Sequence, residues 1–230
     1  MAITFDSFWA QQNTGGGLSV NSSTHSPAAG VTLTVVTLVH SQPVTSVTDN
    51  QNQSYRIASI NNFDNAASNA RYLSMFYLPT PAIASTQMTA YFSASAVANI
   101  YAICFKGTAN STPFDASAYT ASTPATGGSL STTLGGSTLF PNEVIVAIGC
   151  LDANSPGGAW TPGGTYLNTA NSSSIANPAN LNEYQIVSST SNYTANMSQS
   201  VTGNTWAILM CTFADTNVVN QTILLGQACL

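Results

Sequence analysis

The chain is expected to be all-β: an antiparallel two-sheet sandwich, jelly-roll-like, of about ten to twelve strands. Three observations predict this. Segments rich in β-branched and aromatic residues alternate with a period of two, turn residues separate them at short intervals, and helical spacing is almost absent. No repeat of 20 to 50 residues suggests a propeller or solenoid, and the Cys–Trp–Cys spacing of an immunoglobulin domain is missing. The expected organisation is an N-terminal arm over 1–17, one sandwich domain over 18–215 and a C-terminal tail over 216–230.

Each element follows in order. In "VTLTVVTLV" (31–39), Val31, Leu33, Val35 and Val39 are expected on a core face, with Thr32 and Thr34 on a polar one. "TSVTDNQNQSYRIASI" (45–60) reads as a hairpin, because Asp49, Asn50 and Asn52 tolerate left-handed backbone and bond their own main chain. A calcium ion at Asp49 and Asn52 would need further oxygen ligands, and neither an EF-hand glycine nor a terminal glutamate follows at loop spacing. "RYLSMFYL" (71–78), "QMTAYFSAS" (87–95) and "NIYAICFKG" (99–107) are read as three successive antiparallel strands.

Residues 108–142 are rich in Ser, Thr, Gly, Pro and Ala and read as a surface excursion, with "SLSTTL" (129–134) a short edge strand. "NEVIVAIGC" (142–150) is nearly all apolar, as a central strand covered on both faces should be. Loops surround Trp160. "LNEYQIVSS" (181–189), "NYTANMSQSV" (192–201) and "TWAILMCTF" (205–213) complete the set. In the last, Thr205, Ala207, Leu209 and Cys211 take one side and Trp206, Ile208 and Met210 the other, both apolar enough to be covered.

Charge excludes several functions. Only 5% of residues are charged, against about 25% in an ordinary domain, so the exterior must be Ser, Thr, Asn, Gln and Gly. With Arg56, Arg71 and Lys106 the only cations and a net charge of -5, no basic patch exists for phosphates or anionic lipid. Nucleic acid is not an expected partner. No segment approaches the roughly 18 apolar residues of a spanning helix, and the N-terminus lacks the features of a secretion signal. Cys104, Cys150 and Cys211 lie in apolar runs and read as buried packing residues, while Cys229 is the candidate for an intermolecular bond. Their spacing offers no zinc ligand set, and no cofactor motif is present.

Catalytic signatures are equally sparse. His25 and His40 read as polar surface residues outside any catalytic constellation. The acidic supply is Asp6, Asp49, Asp64, Asp115, Glu143, Asp152, Glu183 and Asp215, most of it at strand ends and turns. A glycosidase would need two of these facing each other across a cleft. Tyr55, Trp160 and Tyr166 could offer ring faces to sugars or could cover the sandwich ends. Phe5, Phe8 and Trp9 at the start, and Ile223, Leu224 and Leu225 at the finish, need apolar partners. Either both ends add strands to the domain's own sheets, or they dock on a neighbouring subunit.

The succession "PVTSVTDNQNQSYRIAS", "RYLSMFYLP", "TQMTAYFSASAVANIYAICFKGTANSTPFD", "NEVIVAIGC", "AWTPGGTYLNT" and "EYQIVSSTSNYTANMSQSVTGNTWAILMCTF" resembles a β-sandwich domain recurring in bacteriophage structural proteins and bacterial surface proteins. It runs from about residue 28 to 214, with Gln51 standing where the family's turn usually has glycine. The resemblance implies a virion structural protein without enzymatic activity, made in the host cytoplasm, and best fitting a capsid decoration or cement protein. Its implied partners are the major capsid protein or other virion subunits, including copies of itself. A carbohydrate-binding or adhesion module, as in a tail, fibre or surface protein, is the alternative.

Overall fold

The structure is a computed structural model and describes residues 2–64, 71–122, 128–151, 160–171, 180–199 and 205–215. Every regular element among them is a strand: β1 (Thr4–Asn21), β2 (Leu33–His40), β3 (Val44–Asp49), β4 (Arg56–Asp64), β5 (Arg71–Pro79), β6 (Met88–Lys106), β7 (Phe114–Ser122), β8 (Gly128–Thr133), β9 (Asn142–Leu151), β10 (Trp160–Pro162), β11 (Leu167–Asn171), β12 (Asn180–Ser188), β13 (Thr194–Gln199) and β14 (Trp206–Ala214). These form three antiparallel sheets. Sheet A runs β1-β6-β2-β5-β4, with β3 also joined to β6; sheet B runs β11-β12-β9-β14-β7; sheet C runs β10-β13-β8. The all-β sandwich is therefore present, with more strands than expected and a third sheet. β1 to β6 build sheet A and β7 to β14 build the other two, so among the described residues the chain passes between the halves once, over residues 107–113.

Three apolar cores hold the layers together. The first joins sheet A to sheet B through Leu33, Val35, Leu73, Met75, Tyr101 and Ile103 on one side and Val144, Val146, Ile148, Leu209, Cys211 and Phe213 on the other. Alternate residues of the same sheet B strands, Ile145, Ala147, Trp206, Ile208 and Met210, meet Leu130, Ala195 and Met197 of sheet C in a second core. Sheet B is thus covered on both faces, and all nine residues of β14 are buried. That is why β9 and β14 read as unbroken apolar runs, and the two sides expected for 205–211 are those observed for Ala207, Leu209 and Cys211 against Trp206, Ile208 and Met210.

The third core lies on the far face of sheet A, where Val36, Leu38, Phe76, Ile100 and Cys104 meet Val47, Met88, Ala90 and Phe92. Its cover comes from sheet A itself. The 19-residue β6 bends: Ala98–Phe105 pairs with β2, whereas Met88–Phe92 pairs with β3. β1 bends with it, and its register shifts on both sides of Gly17. Gly16 has φ 72 there, and a side chain would press on Ser95. The bent halves of β1 and β6, with β3, make a flap over sheet A.

This flap corrects several expectations. Residues 87–95 and 99–107 are one bent strand, because no turn residues interrupt the small-residue stretch between them. The polar face expected of β2 is buried beneath the flap, where Thr34 Oγ1 lies 3.2 Å from Cys104 Sγ. On the opposite face, the Thr37 hydroxyl donates to Asn182 Oδ1 of sheet B at 2.6 Å. The hairpin at 45–60 keeps its turn, with Asn52 at φ 59, but only one bridge, Thr48 to Ser54, joins its arms. β3 then belongs to the flap and β4 to the opposite edge of sheet A. Residues 108–142 contain β7 as well as the expected edge strand β8.

Residues 4–21, finally, are a strand of sheet A. The Thr4–Asn21 backbone is taken up by its ladder to β6.

Candidate functional site

The start of β1 meets β12 at one edge of the sandwich, where the first core comes to the surface. Two adjoining hollows of about 400 and 380 Å³ open there and share Ile186. Ala2, Ile3, Asn142, Val187, Ser188 and Asp215 complete the first, and Thr4, Phe5, Thr165, Leu167, Tyr184 and Gln185 the second. Phe5 is 37% exposed, Ile186 41% and Leu167 57%, so three exposed apolar side chains gather along this seam. Ile186 shares the face of Asn182 and Tyr184 but lies past the cover that sheet A provides. Sequence alternation places it on that face without showing where the cover ends.

The expected contact residues separate here. Phe5 stays at the surface, stacked on Tyr184 with ring centroids 5.0 Å apart and edge-on to Phe105. Phe8 is half-buried against Tyr101. Trp9 is 4% exposed; its indole N–H donates to Ser22 Oγ at 3.1 Å and its ring stacks on His25. Phe8 and Trp9 are thus committed to the protein's own cores, one on each face of β1. Ile223, Leu224 and Leu225 lie outside the described residues.

Tyr55 and Tyr166 are each 7% exposed, so their ring faces are packed inside rather than offered to a sugar. The Trp160 backbone pairs with Gln199 in sheet C; its side chain is outside what the structure describes.

The outermost layers present a different surface. On sheet C, Ser129, Ser131 and Thr133 of β8 and Thr194 and Asn196 of β13 all point outward. Thr133 lies opposite Thr194, Ser131 opposite Asn196, and the Thr133 and Thr194 hydroxyls are 2.8 Å apart. On the flap, Ser19, Ser46, Tyr91 and Ser93 are exposed, with Tyr91 between Ser19 and Ser46. Both are hydroxyl faces without charge.

Charge has been withdrawn from the surface. Asp49, Arg71, Glu143 and Glu183 are buried, and Lys106 holds Asp6 at 2.9 Å. Arg56 is the one charged side chain classed as exposed among the described residues. Asp49 organises its turn: Oδ1 accepts from the Gln51 and Gln53 amides at 2.9 Å and Oδ2 from the Ser85 hydroxyl at 2.6 Å. Among the described residues, no cluster of three or more His, Cys, Asp or Glu is placed to hold a metal.

His40 is buried, not a surface residue. Because the Gln42 carbonyl can only accept, His40 Nδ1–H donates to it at 2.6 Å, and Nε2 accepts from the Ser74 hydroxyl at 2.8 Å. Burial pushes its pKa down to about 4 against the opposing pull of the Gln42 bond.

The two buried glutamates sit on the sheet C side of sheet B. Burial pushes Glu183 up to about 8; the Gly163 backbone N–H opposes the shift, yet no well-formed hydrogen bond reaches either carboxyl oxygen. Burial also pushes Glu143 up to about 8, helped by the neighbouring Asp115 carboxyl. Glu183 pairs with Ala147 and Glu143 with Val187, so the two are four rungs apart, roughly 13 Å along the strands. Both carboxyl groups are wholly buried rather than facing each other across an open cleft as a glycosidase pair does. His40 belongs to the flap side of sheet A, two layers away. Cys104 and Cys211 are buried free thiols, and burial pushes Cys104 up to about 12.

No family model matches the chain, and no curated protein matches it either.

Proposed function

We propose that this protein is a structural component of a bacteriophage virion, a capsid decoration or cement protein that acts by packing against the major capsid protein or other virion subunits. The observation that carries this reading is the pair of uncharged outward faces on a domain whose charges, among the described residues, are mostly buried or paired. Interface cores are depleted in charged residues, and docking an ionised side chain costs several kcal/mol of desolvation unless it is re-paired. Hydroxyls both donate and accept, so such a face meets varied neighbouring groups at little cost. The resemblance over residues 28 to 214 supports the virion setting.

The test is co-sedimentation with shells assembled from a major capsid protein encoded in the same genome. The wild-type chain should bind saturably. Ser131→Glu with Asn196→Glu, which plants charge on the outer face of sheet C, should weaken binding at least tenfold with an unchanged β-type circular dichroism spectrum. Absence of saturable binding by the wild-type chain overturns the proposal.

A further inference from the structure

We propose that residues 216–230 of the same molecule dock in the seam between β1 and β12, laying Ile223, Leu224 and Leu225 over Phe5, Leu167 and Ile186. This is independent of the virion reading. The seam is the place where three exposed large apolar side chains line one continuous hollow, and the segment begins one residue beyond Asp215 at its rim. Asp215 lines the first hollow; its amide donates to the Asn142 carbonyl at 3.0 Å and Asn142 Nδ2 donates to its carboxylate at 3.1 Å. The last described residue is thereby held at the rim of the first hollow.

Reach and chemistry agree. Ile223 is eight residues beyond Asp215, up to about 26 Å in extended chain, while the seam from Ser188 to Tyr184 covers four rungs, about 13 Å. "TNVVNQTILLGQACL" carries no charge, and Asp215 is the one charged side chain lining the hollows. β1 and β11 are the outer strands of sheets A and B on this side. Each has one ladder partner among the described residues, so a segment laid along the seam finds backbone groups to bond as well as apolar surface to cover.

The test uses the full chain in a Cys229→Ser background carrying Ile186→Cys and Leu224→Cys, oxidised mildly in dilute solution and mapped by peptide mass. An intramolecular 186–224 disulfide should form in monomeric protein in at least tenfold higher yield than for Ile83→Cys with Leu224→Cys. Ile83, 74% exposed, lies outside the seam. Equal yields, no bond, or a covalent dimer showing that a second copy's tail fills the seam would each overturn the proposal. Should the cysteine pair impair folding, Ile223→Asp with Leu224→Asp answers the same question. Uncovering the seam should at least double the emission of the apolar dye ANS with circular dichroism unchanged, and unchanged emission also overturns it.

Discussion

Replacing Glu183 by Gln should change how stability depends on pH. Glu183 is wholly buried between sheets B and C, and its pKa rises from 4.5 in the unfolded chain to about 8 in the fold. Below pH 4.5 both states hold the proton and the group contributes no pH dependence. Between 4.5 and 8 the unfolded chain releases it while the folded one retains it, so stability falls as pH rises, by about 1.4 kcal/mol per pH unit. Gln copies the shape and neutrality of the protonated acid and cannot ionise. From pH 5 to pH 8 the wild-type protein should therefore lose on the order of 3 to 4 kcal/mol relative to Glu183→Gln. Glu143 moves in the same direction and His40 in the opposite one, losing stability as pH falls from 6.5 to about 4. Both remain in the two proteins, so subtracting one from the other cancels them. Urea unfolding followed by circular dichroism at pH 5, 6.5 and 8 measures the gap. A gap constant within about 1 kcal/mol would refute the reasoning.

Other consequences follow from single contacts. Ser22 Oγ accepts both the Trp9 indole N–H and, at 2.9 Å, the Met88 amide; Ser22→Ala should cost about 1 to 3 kcal/mol by orphaning buried donors. Adding Trp9→Phe should then cost less than it does in the wild-type chain, as a double-mutant cycle by chemical denaturation would show. Gly107 has φ +81 and a side chain there would collide with the Ala2 backbone, so Gly107→Ala should destabilise by about 2 kcal/mol or more. At this chain length that lowers Tm by roughly 4 to 8 °C, and an unchanged Tm by calorimetry counts against the contact. Cys104, Cys150 and Cys211 should stay closed to DTNB in the native protein and react together on unfolding; early reaction of any one would place it nearer the surface than described.

Much of the fold is legible in the sequence because alternation reports burial directly. β9 and β14 carry apolar residues at both odd and even positions, which only a doubly covered strand allows, and β8 was identifiable as an edge. The third sheet was not legible, because its outer face of Ser and Thr gives the same composition as a loop. β7 was missed for a related reason: "FDASAYTAS" uses Ala and Ser where strands usually carry branched residues. The burial of His40 and of β2's second face depends on the flap, and the flap depends on β6 continuing through residues 93–98, where the missing turn residues mark continuity but nothing local marks the bend. At the site, apolar residues near the start were legible as needing partners. That Phe5 would stay at the surface while Trp9 turned inward depends on the register with β6, which is a tertiary fact.

The single passage from sheet A to sheet B over residues 107–113 bears on how the protein is made. Everything needed for sheet A and its flap has been synthesised by Lys106, so the first half can form its ladders before the second half leaves the ribosome. Until then Leu33, Val35, Met75 and Ile103 face water, an exposed sheet face of the kind that invites aggregation. A chain cut within 107–113 should behave as two complementing fragments, each poorly soluble alone and recovered together. Its production would succeed or fail on how quickly the second half arrives.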